Sequence, residues 1–202
     1  MTGKVQAISG AGIVSVTGTL AGEIPLPGLR HVMPALALGA IVTRLEPRHE
    51  GSLVEVLLPA WEQIQRLLKD DPAALSKLRP EQWEELVAAT YDRAGFDEVI
   101  LTPRSGDLGR DVIATRNGWG SVRIIDQVKA YSFGHPVPAN DVRALLGVLS
   151  SDPKATKAVM TTTSTFAPRI TEDPTIQPFC PYRLELVDGA ALMNRLKVLG
   201  GV

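Results

Sequence analysis

The chain has 202 residues, 45% hydrophobic and 21% charged, with 18 Gly, 15 Pro and one Cys, a composition that excludes collagen-like, low-complexity and disulfide-scaffold classes. The lone Cys180 has no partner for a disulfide or a zinc cage, so a reducing, cytoplasmic setting is the expectation. With 21 basic residues against 22 acidic ones, the net charge of −1 argues against a protein that coats nucleic acid by bulk charge and leaves a localised site open.

The uncharged run Val32 to Thr43 is 12 residues long and contains Pro34, whereas a membrane-spanning helix needs about 20. A second run, Val5 to Gly22, is diluted by Ser, Thr, Gly and Gln and lacks the Leu-rich centre of a signal peptide. Its β-branched residues, Ile13, Val14, Val16, Thr17 and Thr19, read as strand and turn. Residues 1–55 are therefore expected to form a β-rich accessory region, with the turn signal Pro25-Leu-Pro-Gly28 inside it. Residues 56–79 read as a linking helix and linker: Pro59 fits a first helical turn, Trp61, Ile64, Leu67 and Leu68 form an apolar stripe, and Asp70-Asp-Pro72 ends it.

From residue 80 to 202 the pattern is regular. A helix over Glu81 to Ala94 carries Trp83, Leu86, Val87 and Thr90 on one side, and Gly95 follows as a cap. A strand over Phe96 to Leu101 leads through the loop Thr102 to Gly109 into a second strand, Arg110 to Arg116. Asn117-Gly118 signals a hairpin turn before a third, Ser121 to Tyr131. A helix over Val137 to Ser151 presents Val142, Leu145, Leu146 and Leu149; a strand over Ala155 to Thr163 follows it. The Pro-punctuated stretch Phe166 to Pro181 reads as loop with one helical turn, Leu184 to Val187 as a strand, and Asp188 as the N-cap of a last helix through Leu199. The order αβββαβ implies an α/β fold with a mixed central sheet, because the hairpin is antiparallel and the helix after it must cross over.

One constellation in this core is chemical. Gln127 and Lys129 are two apart on a strand and share a face, while Asp126 points to the other. In a hairpin turning at Asn117-Gly118, Asp111 at the start of one strand neighbours Gln127-Val-Lys129 at the end of the next. Singly these residues read as strand-end polar groups. Together, in strands otherwise built of Val112-Ile-Ala114, Ile124-Ile125 and Val128, they must be satisfied or used. An Asp carboxylate with a Gln carbonyl oxygen is a hard-oxygen donor set suited to Mg²⁺, which takes one or two carboxylates plus waters and phosphate oxygens. A Lys beside it offsets charge in phosphoryl transfer, so metal-assisted phosphodiester hydrolysis fits.

The run Gly106-Asp-Leu-Gly-Arg-Asp-Val-Ile-Ala114, then Gln127-Val-Lys-Ala-Tyr131, Val142-Arg-Ala-Leu-Leu-Gly147, Val159-Met-Thr-Thr-Thr-Ser-Thr-Phe166 and Leu184-Glu-Leu-Val-Asp-Gly189 resembles the catalytic domain of Mrr-like restriction endonucleases, within the PD-(D/E)xK nuclease superfamily. The resemblance runs in the correct order over about Pro80 to Leu199 and implies a restriction-endonuclease-like fold over residues 80–202. It implies a Mg²⁺-dependent DNA endonuclease in which Mn²⁺ can substitute, acting on DNA, modified DNA included. Asp111 would be the principal metal ligand, Gln127 would stand where the superfamily usually has a second acid, and Lys129 would be the catalytic lysine. Gln is usual there in Mrr-like domains, and it removes one negative charge, which implies a weaker or single Mg²⁺ site. Gln82-Trp-Glu-Glu-Leu-Val-Ala88 resembles the family's helix opening and places Glu84 at the carboxylate that often completes the site. Asp107 matches a recurrent family acid or serves as a turn residue, and Arg104 and Arg110 flank the same loop as candidate phosphate contacts.

Residues 103–131 hold five basic side chains against three acidic ones, a local balance of +2. That modest excess suits a nuclease held on DNA by its metal, a modified target or a second subunit, and a homo-oligomer is the expectation. Trp119 in the hairpin turn is a candidate contact residue for DNA or protein. The alternatives on the same fold are a module that binds nucleic acid without cutting it and a protein-interaction module in which the polar trio is structural.

Overall fold

The computed structural model describes residues 7–9, 12–14, 42–56, 58–103, 109–132 and 134–200. It divides into two units, residues 1–30 and 31–202. In the first, β1 (Ala7–Ser9) and β2 (Gly12–Val14) pair antiparallel.

The second unit is built on one sheet. Its strands are β3 (Val42–Arg48), β4 (Gly51–Val56), β5 (Glu98–Leu101), β6 (Val112–Arg116), β7 (Val122–Lys129), β8 (Lys157–Thr162) and β9 (Leu184–Val187), and they lie in the sheet in that same order. Pairing is antiparallel from β3 through β7 and parallel from β7 through β9. Among the described residues, four helices flank it: α1 (Leu58–Asp70), α2 (Pro80–Arg93), α3 (Ala139–Ser151) and α4 (Gly189–Gly200). The fold is the expected α/β arrangement with a mixed sheet.

Alternation along the strands divides the core into two layers. Val112, Ala114 and Val128 face a layer completed by Trp61, Ile64 and Leu68 of α1, Trp83, Leu86 and Val87 of α2, and Leu192 and Leu196 of α4. Ile113, Ile125 and Met160 face the opposite layer with Val142, Leu145, Leu146 and Leu149 of α3. Because successive strand side chains point to opposite faces, both layers are fixed by the same short apolar runs.

Residues 42–55, at the end of the expected accessory region, form strands of this sheet. Ser52 and Leu53 of β4 pair with Leu101 and Ile100 of β5, and Val54 and Val56 are buried in the layer that holds α1 and α2. The alternation in β4 reveals a strand with one buried face but carries no sign of which sheet receives it. Gly51 is required where this hairpin meets β5, since a Cβ there would lie 2.1 Å from the Leu101 carbonyl oxygen. The hairpin between β6 and β7 closes over five residues, 117–121, with Arg116 paired to Val122. Trp119 stands exposed at its tip. Between β8 and β9 the chain makes two short 3₁₀ turns, Ile170–Glu172 and Gln177–Phe179. Asp188 Oδ1 accepts the Ala191 N–H at 2.8 Å, the expected capping bond of α4.

Candidate active site

The three central residues of the sequence reading meet at one end of the sheet. The β6–β7 ladder ends at Val112 opposite Asp126, which brings Asp111 beside Gln127. Asp111 Oδ2 accepts the backbone N–H of Val128 at 2.7 Å, so its carboxylate is fastened to β7 between Gln127 and Lys129. The backbone is held from both sides as well: Asp111 N donates to the Asp126 carbonyl at 2.9 Å, and Thr102 N donates to the Asp111 carbonyl at 3.1 Å.

Gly109 explains how the loop reaches this place. Its φ of +75° lies in the left-handed region that favours glycine. A Cβ there would sit 3.4 Å from Val148 Cγ2 and 3.5 Å from Gln127 Nε2, so the backbone before Asp111 lies against the end of the Gln127 side chain. Asp111, Gln127 and Lys129 are all half-buried, open enough to meet a ligand.

Lys129 Nζ lies 3.9 Å from Asp141 Oδ2, and Tyr131 donates its hydroxyl to the same oxygen at 3.1 Å. Burial raises the Tyr131 phenol above its ordinary range, and the hydrogen bond and charge of Asp141 push the same way. Glu84 is half-buried in α2, the helix packed on the other layer of the core. The opening turns of that helix approach the site end: Trp83 lines a cavity of about 360 Å³ together with Ala130, Tyr131 and Ser132, the residues following Lys129.

Arg110, a candidate phosphate contact, has a guanidinium 11% exposed that pairs with Asp152 at 2.9 Å and Glu50 at 3.4 Å. Glu50 also accepts two bonds from Arg123, at 2.7 and 2.9 Å. The group is a four-membered ion network joining the β3–β4 turn, the loop before β6, β7 and the end of α3. Burial raises the Asp152 carboxyl, but the hydrogen bond from the Lys154 N–H, followed by the charges of Arg123 and Arg110, holds it below its ordinary range. Arg104 and Asp107 lie outside the described residues.

Asp126 points to the opposite layer, as alternation requires. It is 1% exposed and accepts from Tyr91 Oη at 2.8 Å and Thr161 Oγ1 at 3.0 Å, both on Oδ2. Burial pushes its carboxyl up to about 7. The sequence reading missed Asp141, Glu50 and Asp152. For Asp141 there was a local signal, an acid in the first turn of the helix that follows the Gln-Val-Lys strand; Glu50 and Asp152 offered none, being far apart in the chain.

Residues 75–196 match the family model Mrr_cat, described as restriction endonuclease. The chain belongs to the restriction endonuclease family. Among solved structures it is similar to the MspJI restriction endonuclease in complex with a 27-mer oligonucleotide, at 19% identity over 73% of this chain and 35% of that one, with a TM-score of 0.45. It is also similar to the DNA modification-dependent restriction endonuclease AspBHI, at 17% identity over 96% of this chain and 43% of that one, with a TM-score of 0.47. The chain thus spans less than half the length of either protein. No curated protein matches it. Among the described residues, no helix of this family member is long and apolar enough to cross a membrane.

The donor set bears on the metal that such an enzyme would use. Among the described residues, no group of three or more His, Cys, Asp or Glu side chains is arranged to hold an ion, which is unlike a closed zinc or calcium cage. One carboxylate and one amide oxygen, supplemented by waters and substrate phosphate, fit Mg²⁺.

Proposed function

We propose that the chain is a Mg²⁺-dependent DNA endonuclease of the PD-(D/E)xK type, serving restriction or defence and hydrolysing phosphodiester bonds at Asp111, Gln127 and Lys129. The observation that carries this reading is the 2.7 Å bond from the Val128 N–H to Asp111 Oδ2, which locks a carboxylate between the amide and the ammonium on adjoining strands. The restriction endonuclease family match over residues 75–196 supports the choice of DNA as substrate.

Asp111 and the Gln127 amide oxygen would hold Mg²⁺, with Mn²⁺ as a substitute. When bound, the ion supplies polarisation of the phosphodiester and activation of the attacking water. Asp111 enters the reaction pre-oriented, because its carboxylate is already fixed to strand backbone and loses little freedom on binding. Gln127 contributes an oxygen without charge, so the site holds its ion more weakly than a two-acid site. Lys129 places protons at Nζ where charge builds on the phosphoryl oxygens and stabilises it there. Glu84, carried by α2 toward the same end of the sheet, is assigned as an additional carboxylate of the site. The local charge of +2 gives few phosphate contacts, in keeping with a homo-oligomer that holds DNA from two subunits.

Plasmid nicking with Mg²⁺ or Mn²⁺, on modified and unmodified DNA, tests the reading with wild type, Asp111→Ala and Lys129→Ala. Wild type is expected to nick, and each substitution to lower the rate by about 100-fold or more. Cleavage that survives both substitutions would remove these residues from the mechanism. If wild type cuts nothing and Mg²⁺ leaves its thermal midpoint unmoved, the chain is a non-cleaving module.

A further inference from the structure

We infer that Asp141, in the first turn of α3, is a positioning residue that aims Lys129. The inference rests on the reading of Lys129 as the catalytic cation. Lys129 and Tyr131 are two residues apart at the end of β7, and both address one oxygen of Asp141: the Tyr131 hydroxyl donates to Oδ2 at 3.1 Å and Lys129 Nζ lies 3.9 Å from it. The phenol fixes the rotation of the carboxylate, and the carboxylate gives the ammonium a preferred location. A lysine on four rotatable bonds, about a quarter exposed here, would otherwise sample many positions.

The place of Asp141 is set by the fold rather than by the ion pair. Its neighbour Val142 is fully buried beneath α3. The chain entering the helix is tied down on both sides of Val137, whose N–H donates to Thr165 O at 2.8 Å and whose carbonyl accepts from Ala167 N at 2.9 Å. An anion in the first helical turn also interacts favourably with the helix dipole. The usual acid two residues before the lysine is Gln127 in this chain, so the carboxylate that faces Lys129 comes from a different element. Burial raises the Tyr131 phenol, and Asp141 adds to the shift, in accord with a close contact.

Steady-state plasmid nicking by the full chain with Mg²⁺ tests this. Asp141→Asn is expected to lower kcat about 10- to 100-fold with KM within about two-fold, because aim is lost and DNA binding is not. Asp141→Glu should recover most of the rate. The double variant Asp141→Asn, Lys129→Ala should be no slower than Lys129→Ala alone, since the two residues act as a unit. Separately from activity, absorbance titration of the tyrosines, with Tyr131→Phe to identify the signal, should show the Tyr131 midpoint falling in Asp141→Asn. An inactive Lys129→Ala beside a fully active Asp141→Asn would overturn the positioning role and leave the site reading standing. A fully active Lys129→Ala would overturn both. An unchanged Tyr131 titration would refute the contact even for a chain that cuts no substrate tried.

Discussion

Tyr91 donates its phenolic hydrogen to Asp126 across 2.8 Å in the interior behind the candidate active site. Thr161 donates to the same oxygen, and Oδ1 has no hydrogen-bond partner among the described residues. A buried carboxylate served on one oxygen is costly to ionise, and its rise to about 7 follows from that burial.

The pH dependence of stability follows from this group. In the native chain Asp126 keeps its proton up to about 7, whereas the ordinary value is 3.8. Its contribution is full below about pH 4 and is lost as pH rises through 7, on the order of 4 kcal/mol. Asp126→Asn presents a neutral group with an oxygen for both donors, and its stability should vary less over that range. Urea unfolding at pH 5 and pH 8 checks this. Parallel profiles for the variant and wild type would rule the account out.

Tyr91→Phe removes one of the two donors and leaves more of the Asp126 carboxyl unserved. A loss of about 1–3 kcal/mol is expected, read as a lower denaturation midpoint with an unchanged slope. The change should fall on stability, with little effect on nicking, because Asp126 faces away from Asp111 and Lys129.

Arg110→Ala separates the two roles considered for this arginine. As part of the ion network it should cost about 2 kcal/mol, since among the described residues Glu50 and Asp152 would keep Arg123 alone as paired cation. The salt dependence of DNA affinity should be unchanged. A phosphate contact would instead lower the slope of log K against log salt by about one.

Gly109→Ala should harm both stability and rate. The positive φ costs about 1–2 kcal/mol for a residue with a Cβ. The added methyl would meet Val148 and Gln127 at ordinary contact distance, so the cost is backbone strain two residues before Asp111. A fall in nicking of about ten-fold or more is expected beside the lower thermal midpoint.

Gln127→Glu restores a negative charge next to Asp111. The Mg²⁺ concentration for half-maximal nicking should fall several-fold, and EDTA should abolish cleavage in both forms. An unchanged Mg²⁺ requirement would place Gln127 outside the metal's reach.

The sequence discloses local alternation well and distant pairing poorly. Gln127 and Lys129 could be put on one face and Asp126 on the other because a strand has a period of two, and α3 could be drawn from Val142, Leu145, Leu146 and Leu149. The meeting of Asp111 with β7 followed from the hairpin alone. Glu50 with Arg123 and Arg110 with Asp152 lie 73 and 42 residues apart, so no local pattern links them. The Asp141 contact was hidden for a milder reason. A crossover helix begins wherever its buried face docks, and only that docking shows which first-turn acid meets the strand.

The β3–β4 hairpin makes the folded unit larger than the stretch matched by the family. A fragment cut to residues 75–202 would discard Trp61, Ile64 and Leu68 from the core and leave Arg110 and Arg123 facing Asp152 without Glu50. It would also bare the β5 backbone edge where β4 now pairs, inviting strand addition between molecules. The minimal fragment that folds as one piece should therefore begin no later than about residue 42, and fragments starting inside α1 should aggregate.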